Sequence, residues 1–154
     1  AIGEHHGFFR HHIGQQDGLK LNVKDKKNQL FVVGFDNAKN DVVLGPERLL
    51  MQDKLIAKHL SWVKPVDTLR GVHCHAQVSP AGKPEACDVT LFENQLAHVH
   101  FEKPIRAIQP GQAIVFFRDT ELLGGGIIDR VVHEEEEEED QKQKGPLGSP
   151  PAKK

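Results

Sequence analysis

Ala113-Ile114-Val115-Phe116-Phe117-Arg118-Asp119-Thr120-Glu121-Leu122-Leu123-Gly124-Gly125-Gly126-Ile127-Ile128 reads as a strand, a turn and a second strand. β-Branched and aromatic residues fill the first run, and Arg118-Asp119-Thr120 supplies the turn chemistry. Ile127-Ile128 continues the second strand beyond the three glycines. A phosphate-binding loop would instead enter a helix, with Lys and Ser/Thr close behind. The glycines therefore predict a bulge or a close approach of backbones.

Working outward, strands are expected at 68–78, 86–92, 95–103, 112–118 and 121–132. Ser79-Pro80-Ala81-Gly82-Lys83-Pro84, Glu93-Asn94 and Gln109-Pro110-Gly111 separate the earlier ones as turns. Leu96, Val99 and Phe101 are expected to meet Ile114 to Phe117 on the next strand. Short strands in series with no helix between them suggest a small closed or half-closed barrel. Upstream, Leu30 to Phe35 and Val42-Val43-Leu44 flank Asp36-Asn37-Ala38-Lys39-Asn40 and read as a hairpin. Pro46 can open a helical turn. The stretch from Leu55 to Val63 is ambiguous: Leu49, Ile56, Leu60 and Val63 fit a helix face, and its alternation as a strand is poor. Residues 1–21 are rich in Gly and His without a clean period.

The fold class expected is thus mainly β. A small β-rich domain at 1–66 precedes a six-stranded type of barrel at 67–133, and an acidic tail covers 134–154. Six successive glutamates from Glu134 to Glu139 repel one another and bury nothing, so the tail is expected to be disordered. The net charge is −2, and removing the tail leaves 16 basic and 15 acidic side chains. Bulk charge therefore does not announce a nucleic-acid binder. No apolar run spans a bilayer as a helix, so no membrane partner is expected. No signal peptide is visible, and the absence of an initiator Met suggests a start partway through a longer chain. Two cysteines, Cys74 and Cys87, are too few for a disulfide framework and fit buried reduced thiols.

His73-Cys74-His75 and His98-Val99-His100 each place two imidazoles on one strand face. Neighbouring strands could gather all four, yet nothing forces the pairs onto one face and no carboxylate is obviously placed to orient them. Exposed barrel histidines suffice as an explanation. Cys74 points away from its flanking histidines on an alternating strand, and there is no Cys-x-x-Cys pair or Gly-x-Ser-x-Gly elbow. No catalytic, cofactor-binding or metal-binding residue is assigned.

An ordered set of stretches resembles the C-terminal half of the tRNA-specific 2-thiouridylase family. They are Gly3-Glu4-His5-His6-Gly7, Ile13-Gly14-Gln15-Gln16-Asp17-Gly18-Leu19, Phe31-Val32-Val33-Gly34, Leu55-Ile56-Ala57 and Leu60-Ser61-Trp62-Val63. Arg106-Ala107-Ile108-Gln109-Pro110-Gly111-Gln112 and Leu123-Gly124-Gly125-Gly126-Ile127-Ile128 complete it. The resemblance implies a central domain followed by a β-barrel. It also implies an ATP-dependent sulfurtransferase making 2-thiouridine in tRNA, with tRNA and a sulfur-donor protein as partners. The ATP loop and both sulfur-carrying cysteines of that family lie outside this sequence. The segment itself is therefore expected to need no cofactor and to be inactive alone.

By the same resemblance Gln112, in the Pro-Gly-Gln turn, is a tRNA contact. Ala76-Gln77-Val78 stands where the family usually carries Arg-Tyr-Arg. Ala76 and Gln77 are thus departures at RNA-binding positions, losing two charges and an aromatic platform. Gln16 and Asp17 likewise replace two cations. The rival expectation is a standalone, noncatalytic barrel protein serving protein interaction. The implied localisation is mitochondrial for a eukaryotic chain and cytoplasmic for a bacterial one.

Overall fold

The computed structural model describes residues 2–21, 29–65, 71–92 and 94–133. The expected tail at 134–154, and residues 68–70 of the first expected barrel strand, lie outside the described residues. No α-helix occurs among the described residues. The chain divides into two units: Ala1–Gln52 with Ile105–Ile108, and Asp53–Pro104 with Gln109 onward.

The first unit holds the hairpin β1 (Phe31–Asp36) and β2 (Asp41–Gly45), paired antiparallel. Asp36 closes its turn by accepting from the backbone N–H of Ala38 and Lys39 on Oδ1, and Asn40 takes a left-handed φ of 55°. This is the local hydrogen bonding that favours Asp and Asn in turns. The Gly14–Gln15 segment lies along β1, exchanging bonds with Val32 at 2.8 and 2.9 Å. A 3-10 turn at Glu47–Leu50 follows Pro46. Phe31, Val32, Leu50 and Ile108 form this unit's small buried core.

The second unit contains a closed barrel of six strands. These are β3 (Met51–Trp62), β4 (Val72–Gln77), β5 (Glu85–Leu91), β6 (Ala97–Arg106), β7 (Ala113–Arg118) and β8 (Glu121–Val131). Their order around the wall is β3-β6-β5-β4-β7-β8, with β8 pairing back onto β3. Strands β4, β5 and β6 run as a meander and β7 returns beside β4, a Greek-key path. Alternation points Cys74, Ala76, Cys87, Val89, Leu91, Val99, Phe101, Ile114 and Phe116 into the interior.

Two expectations change. Strands β6 and β7 follow each other in sequence but are not neighbours, because β5 and β4 stand between them. Leu96, Val99 and Phe101 therefore do not pair with Ile114 to Phe117. The ambiguous stretch at 55–63 belongs to β3, the sixth strand, so the barrel begins earlier than residue 67. Its alternation is hidden by register shifts against β8 at Ile56/Ala57 and Lys58/Ser61, and by a left-handed His59 (φ 51°). Leu55, Ile56 and Ala57 are consequently all buried in succession.

The three glycines close the barrel. A Cβ on Gly124 would strike the carbonyl oxygen of Ser61 and the Trp62 ring. One on Gly125 would sit 2.7 Å from the Ile114 oxygen, and one on Gly126 the same distance from the Lys58 oxygen. Close backbone approach to both neighbouring strands is thus the reason for the run.

Candidate nucleic-acid interface

Gln112 follows Gly111, whose φ of 88° suits glycine. The turn is pinned to β8: Gly111 N–H donates to the Ile128 carbonyl at 2.7 Å, and Ile128 N–H donates to the Gln112 carbonyl at 2.8 Å. The Gln112 side chain is exposed, and its amide makes no hydrogen bond among the described residues. A fixed backbone carrying an uncommitted amide suits it to a phosphate or base edge.

Gln77 ends β4 opposite Val115 of β7, one strand over from Gln112 and roughly 10 Å along it at strand rise. Its amide nitrogen is already occupied, donating to the carbonyls of Ser79 (2.9 Å) and Pro80 (3.4 Å). Gln77 thus holds the turn that leaves β4. Ala76 is 1% exposed and packs inward opposite Phe116. It cannot touch a ligand outside the wall, so position 76 does not face RNA in this barrel. Strand alternation makes 73, 75 and 77 the outward positions of β4. Gln77 therefore shares the outer face with His73 and His75, while Ala76 does not.

The outward face also carries a residue that sequence inspection missed. Phe117 is half-buried on β7 and directly opposite His75 of β4. An aromatic and an imidazole side by side can stack a splayed base. The Phe116-Phe117 pair in a strand signals one ring inward and one outward, but not which. Arg118, exposed at the end of β7, is the nearest cation along that strand.

Farther round the wall, His73, Asp88 and His100 form one cross-strand row over β4, β5 and β6. The His73 Nδ1–H donates to Asp88 Oδ1 at 3.0 Å, and Glu102 stands 3.7 Å from Nε2. The Asp88 hydrogen bond raises the His73 pKa above its ordinary value, with the negative charges of Asp88 and Glu102 adding to it. His100 lies 3.7 Å from Asp53. The two His-x-His pairs thus share a face but are separated by β5, with carboxylates beside them. No group of three or more His, Cys, Asp or Glu among the described residues is placed to hold a metal.

Cations on β3 and at its end are largely matched. Lys58 pairs with Asp129 at 2.5 Å and Lys64 with Glu121 at 2.6 Å, each pulling its partner's carboxyl below the ordinary value. The first unit holds a cleft of about 630 Å³ lined in part by His5, Arg10, His11, Lys20, Glu4 and Asp41. His5 is fixed there, accepting from Gly7 N–H on Nδ1 and donating from Nε2 to the Asn40 carbonyl. Glu4 and Asp41 balance Arg10 and Lys20, so the cleft is no cationic groove.

A small β unit followed in the sequence by a Greek-key barrel defines a class, and sequence comparisons agree with both halves. Residues 52–128 match the aminomethyltransferase β-barrel domain, and residues 1–46 match the tRNA methyl transferase PRC-barrel domain. The tRNA-specific 2-thiouridylase of Geobacter metallireducens is 33% identical over 134 residues, covering 87% of this chain and 35% of that protein. That of Chlorobium phaeobacteroides is 35% identical over 136 residues (87% and 36% covered), and that of Roseiflexus castenholzii 37% over 135 (84% and 34%). The chain belongs to the tRNA-specific 2-thiouridylase family. It corresponds to the family's C-terminal PRC-barrel and β-barrel domains, and spans about a third of the length of these relatives.

Proposed function

We propose that this chain is the tRNA-holding C-terminal portion of a tRNA-uridine 2-sulfurtransferase. It contributes position rather than chemistry: ATP activation and sulfur delivery by a donor protein belong to regions outside this sequence. The observation that carries the reading is the Gln109–Gln112 turn, whose backbone is clamped to β8 while the Gln112 amide faces solvent. His75 and Phe117 support it as a stacking surface, and Arg118 as a phosphate contact.

The test is fluorescence anisotropy of a labelled tRNA titrated with the full chain at several salt concentrations. Gln112→Ala is expected to weaken binding by about 3–10-fold, the worth of one hydrogen bond. It should leave the slope of log K against log salt unchanged, because the amide carries no charge. Arg118→Ala is expected to reduce that slope by about 1. Absence of tRNA binding even at low salt would remove this reading in favour of a protein-interaction module.

A further inference from the structure

The barrel interior holds two thiols that the tRNA reading does not use. Cys74 and Cys87 are directly opposed on β4 and β5, 3% and 0% exposed, and both free. Their sulfurs lie 3.8 Å apart. Every other core side chain among the described residues is hydrocarbon. Directly opposed residues on antiparallel strands have Cα atoms about 4.5–5.5 Å apart, inside the window of roughly 4.4–6.8 Å that a disulfide spans. Bringing the sulfurs to bonding distance therefore needs side-chain rotation and no change of strand register.

We propose that Cys74 and Cys87 are an oxidisable pair, converted by a small peroxide into an intrachain disulfide that staples β4 to β5 within the barrel wall. In the first step the Cys74 thiolate attacks one peroxide oxygen. The O–O bond breaks, the departing oxygen takes a proton as water, and Cys74 becomes a sulfenic acid. In the second step the Cys87 sulfur attacks the Cys74 sulfur. The S–O bond breaks, and the hydroxide leaves as water with the Cys87 proton. Two thiols lose two electrons and two protons, and one peroxide becomes two waters.

The roles follow from the surroundings. The hydrogen bond between the two sulfurs holds Cys74 below its ordinary pKa, with His73 and Arg118 contributing positive charge. The same hydrogen bond, together with burial, pushes Cys87 up. Cys74, 3% exposed where Cys87 is fully buried, is also the sulfur a small oxidant reaches first, so it is the attacking thiol and Cys87 the resolving one. Burial selects the oxidant as well. Hydrogen peroxide is little larger than water, whereas a glutathione disulfide would require β4 and β5 to part. A resolving thiol already within reach captures the sulfenic acid before it oxidises further.

The experiment treats the full chain with hydrogen peroxide, then denatures, alkylates, digests and analyses it by mass spectrometry. Met51, the sole methionine and 41% exposed, reports the effective dose through its sulfoxide. The expected product is a Cys74–Cys87 cross-link lacking two hydrogens, reversed by dithiothreitol, with Tm raised by several degrees. It should form at doses that leave much of Met51 unoxidised. Cys87→Ser should stop the reaction at a Cys74 sulfenic acid that dimedone traps. Full Met51 oxidation with both thiols still alkylable would overturn the proposal. So would conversion of the two cysteines to separate sulfinic acids.

Discussion

The barrel and the hairpin unit are both antiparallel β, yet they stabilise themselves differently. The barrel closes its sheet, leaves no open edge among its six strands, and buries residues from every one of them. Among its described residues the hairpin unit has two strands, four buried hydrophobic residues, and Ile2, Phe8, Phe9, Val43 and Leu49 exposed. Two strands alone are marginal in water, so this unit leans on backbone bonds from Gly14 and Gln15 and on the 3-10 turn. Closure, more than strand content, separates a self-sufficient β unit from a dependent one.

Large aromatic truncation should expose that difference most. Phe116→Ala removes a fully buried ring stacked 5.3 Å from Trp62 and is expected to cost about 3–5 kcal/mol. Phe9→Ala, at a ring 77% exposed in the hairpin unit, is expected to cost about 0.5 kcal/mol or less. Urea denaturation of the two variants measures both, and equal losses would break the comparison. Glycine substitution should separate the units next. Gly124→Ala forces a methyl against the Ser61 carbonyl and Trp62, for about 2–3 kcal/mol. Gly34→Ala in β1 meets nothing within 4 Å and should stay within about 0.5 kcal/mol of the parent.

The smallest effects belong to the barrel's outer surface, which sharpens the point that its interior carries the stability. The Asp129 carboxyl is held below its ordinary 3.8 chiefly by its hydrogen bond to Lys58. Its contribution is therefore present above that value and lost as pH falls through the depressed one. Both side chains are partly solvated, so Lys58→Met should cost about 1 kcal/mol or less at neutral pH and nothing in strong acid. His73 runs the other way. With its pKa raised by Asp88, its contribution is complete below 6.5 and fades as pH rises through the raised value. Thermal melts across pH 5–9 should differ between the parent and His73→Gln only on the acidic side of that range, and imidazole NMR titration places the midpoint.

Strands β4 to β8 were legible because turn residues bracket short apolar runs, and the hairpin because Asp36 to Asn40 separates two of them. Strand β3 was not, because a bulged strand with a left-handed His59 loses the period of two on which such inspection depends. Which strands pair was equally hidden: neither β6 nor β7 carries a local signal that two other strands intervene. At the candidate interface, Gln112 was found through resemblance alone, since one turn glutamine has no chemical signature. The inward direction of Ala76 and the outward direction of Phe117 depend on register, which a single residue of slip reverses.

The pairing of β3 with β8 also sets a schedule. Leu55 meets Val131, so the wall cannot shut until 76 further residues have been made. At roughly 5–20 residues per second, a ribosome leaves β3 without its final neighbour for several seconds. During that interval the nascent barrel presents an open edge of β3 to the cell, and β8, the strand that closes it, is the one carrying the glycines that let the seam shut.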